Sequence, residues 1–95
     1  MDAYFENITK KMTIEEMDVL AFLYEKDANA SFKAVKRQQI QETTGMTPTE
    51  FRKVIEKLTA TQFIDIVYGK KEHRVFLTVF GKEALEQSIE EEEEE

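Results

Sequence analysis

The sequence predicts a mostly helical α+β domain with three core helices, a β-hairpin and further helices at its two ends. Threonines at three places stand directly before segments whose apolar residues recur at helical spacing, which is typical of capped helices. Later in the chain, two short runs rich in β-branched residues flank a polar turn, which indicates a hairpin.

Size and composition point to one folded unit. The chain has 95 residues, of which 41% are hydrophobic, and we expect a single domain over residues 1–89. Residues 90–95 are all glutamate, so we expect a disordered acidic tail there. One histidine and no cysteine leave no zinc or disulfide pattern, and we expect no metal and no cofactor. No membrane-spanning run or signal peptide is evident, which favours the cytoplasm.

The charge is divided unevenly along the chain. The net charge is −7, but residues 33–74 hold nine Lys and Arg against five Asp and Glu, which makes this part +4. The acidic excess lies in residues 1–32 and 75–95. A basic middle segment is compatible with a nucleic-acid partner in spite of the acidic total.

Two helices are predicted before the basic segment. Tyr4, Phe5 and Ile8 lie at near-helical spacing in residues 1–12, and this helix could pack on its own domain, which is the default, or on a second copy of the chain. Thr13 and Glu16 then form a capping box for a helix that is apolar almost all round and should be central to the core.

The segment after this helix has two readings. Ser31 could cap a helix from Phe32 to Thr44, or residues 32–35 could form a short strand with the helix starting near Arg37. We favour the second interpretation. In both, residues 37–44 are helical and have a polar surface rich in hydrogen-bond donors.

The stretch 45–64 organises the rest of the chain. Gly45 suits the left-handed residue that closes a helix, and Thr47 with Glu50 forms a second capping box with proline at the first helical position. The helix over about 48–61 buries one apolar stripe and exposes a basic remainder, so it follows the preceding helix as a helix-turn-helix. The alternative is an ordinary amphipathic helix with solvated charges.

The hairpin spans 64–77, and its turn is rich in basic residues, which could equally be solubilising surface lysines. Thr78 can cap a last helix that contains Ala84, Leu85 and Ile89. We place Gly81 in its first turn, where the lack of a Cβ atom would permit close approach to the hairpin.

These elements, in this order, resemble a winged helix. Residues 47–58, Thr-Pro-Thr-Glu-Phe-Arg-Lys-Val-Ile-Glu-Lys-Leu, resemble the recognition helix of MarR-like transcription regulators. Residues 74–85, Arg-Val-Phe-Leu-Thr-Val-Phe-Gly-Lys-Glu-Ala-Leu, resemble their wing strand and the helix that follows it. The resemblance covers residues 13–86 and implies a protein that binds duplex DNA as a homodimer, with the third helix in the major groove and the hairpin as the wing.

The resemblance also implies a set of DNA-binding residues, which should share one outward face. They are Gln38, Gln39, Thr47, Thr49, Arg52, Lys53, Lys57, Lys70, Lys71 and Arg74. The sequence departs from the family pattern at Gln62, where glycine is common, and at Gln41 and Thr43, which are often small or apolar. Its short terminal segments depart from the longer helices that build the dimer and a ligand pocket in the family.

We therefore predict a sequence-specific DNA-binding transcription regulator, with a possible homodimer through the terminal helices. The alternative is a winged-helix protein-interaction module that does not bind DNA, because a fold does not fix a function. An enzyme is disfavoured, since no nucleophile-base pair or phosphate loop is present and His73 lies in a predicted hairpin turn.

Overall fold

The computed structural model describes the backbone of residues 12–94 and the side chains of residues 12–88. Its helices are α1 (Ile14–Glu25), α2 (Arg37–Thr44), α3 (Pro48–Ala60) and α4 (Val79–Glu94). Its strands are β1 (Val35–Lys36), β2 (Ile64–Tyr68) and β3 (His73–Leu77). The helix predicted over 1–12 lies outside the described residues, except for Met12, which packs against the core.

The three strands form one antiparallel sheet in the order β1-β3-β2. β2 and β3 are the arms of the hairpin, and Tyr68 pairs with His73 next to the turn. β1 lies on the other side of β3, where Lys36 pairs with Arg74. The order of elements is that of a winged helix, which confirms the predicted fold class.

The core lies where α1, α2, α3 and α4 meet one face of this sheet. Val19, Leu20 and Leu23 of α1 are fully buried, which confirms the central position predicted for this helix. The other hydrophobic residues of the core cluster are Ala28, Ile40, Phe51, Ile55, Leu58, Phe63, Ile64, Val75, Leu77, Ala84 and Leu85.

Both predicted capping boxes are present. The backbone N–H of Glu16 donates to Thr13 Oγ1 at 3.2 Å, and that of Thr13 donates to Glu16 Oε1 at 3.1 Å. The same reciprocal pair joins Thr47 and Glu50 at the start of α3. Gly45 adopts the left-handed conformation with φ of 73°, as predicted, so the chain turns sharply from α2 into α3.

Gly81 also lies where the sequence placed it, in the first turn of α4. A Cβ atom at this position would overlap the carbonyl oxygen of Phe63 and lie 2.8 Å from Leu77 Cδ1. The backbone N–H of Gly81 donates to Thr78 Oγ1 at 3.1 Å, so Thr78 caps this helix. The missing side chain lets α4 pack directly on the hairpin.

The structure differs from the prediction in the segment before α2. The favoured short strand was placed at residues 32–35, but Ser31–Lys33 forms a 3₁₀ turn and the strand is Val35–Lys36. The N–H of Ala34 donates to the carbonyl of Ser31, which closes the turn and leaves Phe32 84% exposed. The helix still begins at Arg37, as this interpretation required.

Two further observations concern the C-terminal ends of α3 and α4. Gln62 stands where a glycine is common, and it adopts a left-handed conformation itself, with φ of 66°. The backbone of α4 is helical to Glu94, beyond the point at which we expected disorder. The disordered tail over 90–95 and the single domain over 1–89 stay predictions.

Candidate nucleic-acid interface

The ten residues predicted to bind DNA are all exposed on the described surface. Two clefts separate the elements that carry them. One lies between α3 and the hairpin strand β2, and the other lies between the start of α2 and the hairpin turn. We call the turn residues 69–72, together with the ends of β2 and β3, the wing.

α3 exposes different basic residues on its two flanks. Arg52 lines the cleft toward the wing, together with Glu56 of the same helix and Tyr68 of β2. Lys53 and Lys57 lie on the opposite flank, in a cleft that faces the start of α1. Arg52 therefore lies toward the wing and Lys53 and Lys57 lie on the other flank of α3, so the predicted residues do not all line one cleft, as a single shared face would require.

The wing is a tight turn with exposed lysines. The N–H of Gly69 donates to the carbonyl of Glu72 at 3.1 Å and closes the turn, so Lys70 and Lys71 project at its tip. Lys71 lines the cleft at the start of α2 with Lys36 and Gln38.

Arg37 joins the two clefts. It lines the cleft that contains Arg52 and also the cleft that contains Lys71. Its guanidinium carbon lies 5.6 Å from the centroid of the Phe51 ring, a cation–π contact that holds the side chain on the first turn of α3. Arg37 thus lies between Arg52 of α3 and Lys71 of the wing, and we call these three residues the basic strip, although Glu56 and Glu72 line the same two clefts.

Arg37 is not among the residues predicted from the sequence. The resemblance indicates the glutamines of α2, whereas the place of Arg37 beside the wing depends on how α2 packs in the fold. The sequence feature that could have identified Arg37 is that Lys36 and Arg37 are consecutive basic residues at the start of a helix.

Several predicted side chains are already engaged in contacts within the fold. Lys57 Nζ lies 2.9 Å from Glu16 Oε1, and Arg74 Nη2 lies 3.1 Å from Glu72 Oε1. The Gln38 amide donates to Glu42 at 3.0 Å.

The hydroxyl of Thr47 is occupied by the capping box of α3, because it accepts from the N–H of Glu50 and donates to its carboxylate. Any hydrogen bond from this hydroxyl to DNA would therefore compete with the helix cap. Within the part of the chain that the structure describes, Arg52, Lys53, Lys70 and Lys71 form no ion pair, so their charges are available to a partner.

Among residues 12–88, whose side chains the structure describes, no group of three or more histidine, aspartate or glutamate side chains is arranged to hold a metal ion. No helix in the described part of the chain is long and apolar enough to cross a membrane.

The chain is similar to a curated DNA-binding protein. It is 42% identical over 89 residues to the DNA-binding protein TubR of Priestia megaterium, and the match covers 94% of this chain and 88% of that protein. No protein-family model matches the chain.

Solved structures show the same fold. TubR from Bacillus megaterium pBM400 has a TM-score of 0.89 and 41% identity over 93% of this chain and 98% of its own. A MarR family transcription regulator, SP03579, has a TM-score of 0.72 and 16% identity over 95% of this chain and 59% of its own. The second similarity concerns the fold alone and agrees with the MarR-like resemblance of the sequence.

Proposed function

The chain belongs to the family of the DNA-binding protein TubR, and on this premise we propose that it is a sequence-specific regulator that binds double-stranded DNA. The observation that carries the proposal is that Arg37 lines both the cleft that contains Arg52 and the cleft that contains Lys71, so the basic strip reaches from α3 to the wing. A strip that extends from the second helix of a helix-turn-helix to the wing has the layout needed to contact a groove and the adjacent backbone together.

In this proposal α3 enters the major groove. Arg52 is exposed and has no ion pair among the described residues, so its planar guanidinium is free to bind guanine O6 and N7 as a fork. Thr49 lies on the same solvent-exposed surface of the helix. Glu56, which lines the cleft beside Arg52, would accept from the amino group of a cytosine.

The wing and α2 supply backbone contacts. Lys70 and Lys71 are exposed at the turn, and Arg37 is held between the two clefts. Such contacts fix the position of the protein on the duplex without reading sequence, and they make binding sensitive to salt because counterions are released from the phosphates.

The opposite flank of α3 has a smaller part in this proposal. Lys53 remains a candidate for a phosphate, and Lys57 contributes less because its charge is paired with Glu16. Of the remaining predicted residues, Gln39 is exposed on α2 and Gln38 reaches DNA only if its amide leaves Glu42.

A homodimer is part of the proposal. One protomer offers few basic contacts, and two protomers related by a two-fold axis would double them on a palindromic site. We propose that the terminal helices form this interface, α4 through the part that follows its first turn, since the first turn already packs on the hairpin. We also propose that the protein acts in the cytoplasm without enzymatic activity.

The test is a titration of duplex DNA with the purified protein at two salt concentrations. A duplex selected from a random pool is compared with an unrelated duplex for the wild type, Arg52→Ala and Lys82→Ala. Lys82 is exposed at the start of α4 and lines a cleft with Tyr24 and Asp27, away from the basic strip, so its variant controls for loss of one positive charge.

We expect salt-sensitive binding that Arg52→Ala weakens, together with a loss of sequence discrimination of about 1–3 kcal/mol, while Lys82→Ala binds as the wild type does. The absence of any binding at low salt would overturn the proposal and favour a winged-helix module that binds another protein.

A further inference from the structure

Glu72 of the wing turn is held between two cations. Its Oε1 lies 3.1 Å from Arg74 Nη2, and its Oε2 lies 3.6 Å from Lys36 Nζ. The two cations stand side by side, because Lys36 of β1 pairs with Arg74 of β3. Each oxygen of the carboxylate therefore has its own basic partner, drawn from a different strand.

The surroundings of Glu72 are otherwise basic. It lines the cleft between the start of α2 and the wing, where Arg37 and Lys71 also lie. Gln38, Gln41 and His73 complete the lining, so Glu72 is the one acidic side chain of this cleft among the described residues. A carboxylate in this position has the same electrostatic surroundings that a bound oxyanion would have.

The two ion pairs are not needed to hold the wing together. The side chains of Lys36, Glu72 and Arg74 are 55%, 41% and 49% exposed, and exposed ion pairs contribute little to stability. The turn is closed by the backbone hydrogen bond from Gly69 to Glu72, and the strands are held by their own pairing. The carboxylate of Glu72 therefore affects the charge of the cleft more than its shape.

We propose that this cleft binds a phosphate of the DNA backbone, and that the Glu72 carboxylate competes with that phosphate for Lys36 and Arg74. Phosphate and carboxylate oxygens accept the same charge-assisted hydrogen bonds from lysine and arginine, so one excludes the other from a shared pair of cations. The inference rests on the proposed function. It adds Lys36 to the interface and makes Glu72 a residue that limits affinity.

Other acidic residues near the interface do not have this arrangement. Glu56 forms no ion pair with a described residue, although it lies beside Arg52. Glu16 is paired with Lys57, but it is buried beneath the opposite flank of α3.

The experiment measures the affinity of Glu72→Gln for a short duplex of random sequence by fluorescence anisotropy, from about 50 to about 200 mM KCl. Glutamine keeps the shape of the side chain and removes its charge. Glu25→Gln is the matched control, because Glu25 is exposed at the far end of α1 and its loss changes the net charge equally. Thermal unfolding of each variant reports whether the fold is kept.

We expect Glu72→Gln to bind about three- to tenfold more tightly, since the cations are released from exposed pairs of modest strength. The plot of log affinity against log salt should steepen by about one to two, because one or two more cations then meet phosphates. The gain should disappear in the double variant Glu72→Gln/Arg74→Gln, while Glu25→Gln should bind as the wild type does.

Equal or weaker binding by Glu72→Gln would overturn the inference, and so would an equal gain in Glu25→Gln, which would reflect net charge alone. These outcomes leave the proposed function intact if the wild type binds DNA and loses affinity on Arg52→Ala. Failure of the wild type to bind any duplex at low salt would instead remove the proposed function itself.

Discussion

Lys57 Nζ lies 2.9 Å from Glu16 Oε1 and joins the second half of α3 to the first turn of α1. The lysine side chain is 49% exposed, whereas the glutamate side chain is only 3% exposed. The same carboxylate oxygen accepts from the backbone N–H of Thr13, so the capping box of α1 and the position of α3 depend on one buried group. The pair helps to fix the angle at which α3 is presented.

Replacing Lys57 should therefore reduce stability more than DNA binding. We expect Lys57→Met to lower the free energy of unfolding by about 1–3 kcal/mol, because a buried carboxylate loses a charged partner. Urea-induced unfolding measures this change. Lys53→Met is the control, since Lys53 lies on the same flank of α3 without an ion pair to a described residue. Equal losses in the two variants would contradict the role given to the pair.

Gly81 allows α4 to pack against the hairpin, so Gly81→Ala should be strongly destabilising. The added Cβ atom would overlap the carbonyl oxygen of Phe63, which is backbone and has little freedom to move. We expect a loss of about 3 kcal/mol or more, the upper part of the range for overpacked sites. Thermal unfolding measures this loss, with Lys82→Ala as the control because Lys82 is an exposed neighbour in the same turn. A melting temperature like that of the control would show that α4 can shift without cost.

Gln62 is a position where a glycine should stabilise the protein. Its φ of 66° is unfavourable for a residue with a Cβ atom, by about 1–2 kcal/mol. Glycine removes this cost in the folded state. It also makes the unfolded chain more flexible, which offsets part of the gain, so we expect Gln62→Gly to raise the free energy of unfolding by about 0.5–1 kcal/mol. Gln62→Ala keeps the Cβ atom and should bring no gain in the same urea titration. A loss in Gln62→Gly would mean that the glutamine side chain itself contributes to the native state.

The local parts of this fold could be predicted from the sequence because their causes are local. A threonine three residues before a glutamate starts a helix through hydrogen bonds within one turn of chain. A glycine between two helices ends the first one because it readily adopts a positive φ. The capping boxes at Thr13 and Thr47 and the left-handed Gly45 are therefore where the sequence placed them. The close packing at Gly81 was also predictable, since a glycine within the first turn of a capped helix is unfavourable unless another segment packs closely against it.

The candidate interface was only partly predictable, because its charges meet through tertiary structure. The resemblance supplied exposed residues, but it did not reveal that Lys57 is paired with a buried glutamate 41 positions earlier in the chain. It also missed Glu72, which lies next to Lys36 only because β1 pairs with β3. The sequence gives two readings of the segment that contains β1, and the register of β1 determines which cations share this carboxylate.

Arg37 provides the sharpest test of the basic strip, because it was identified from the structure alone. Its guanidinium is held over Phe51 and lines both clefts, so we expect Arg37→Gln to weaken DNA binding about three- to tenfold and to make the salt dependence shallower by about one. Arg37→Lys should restore the salt dependence but only part of the affinity, since an ammonium group keeps the charge without the planar stacking surface. Anisotropy titrations with Lys82→Gln as the control measure both quantities. If Arg37→Gln and Lys82→Gln bind equally well, Arg37 does not contact DNA, and the contacts of α3 and the wing must be separate.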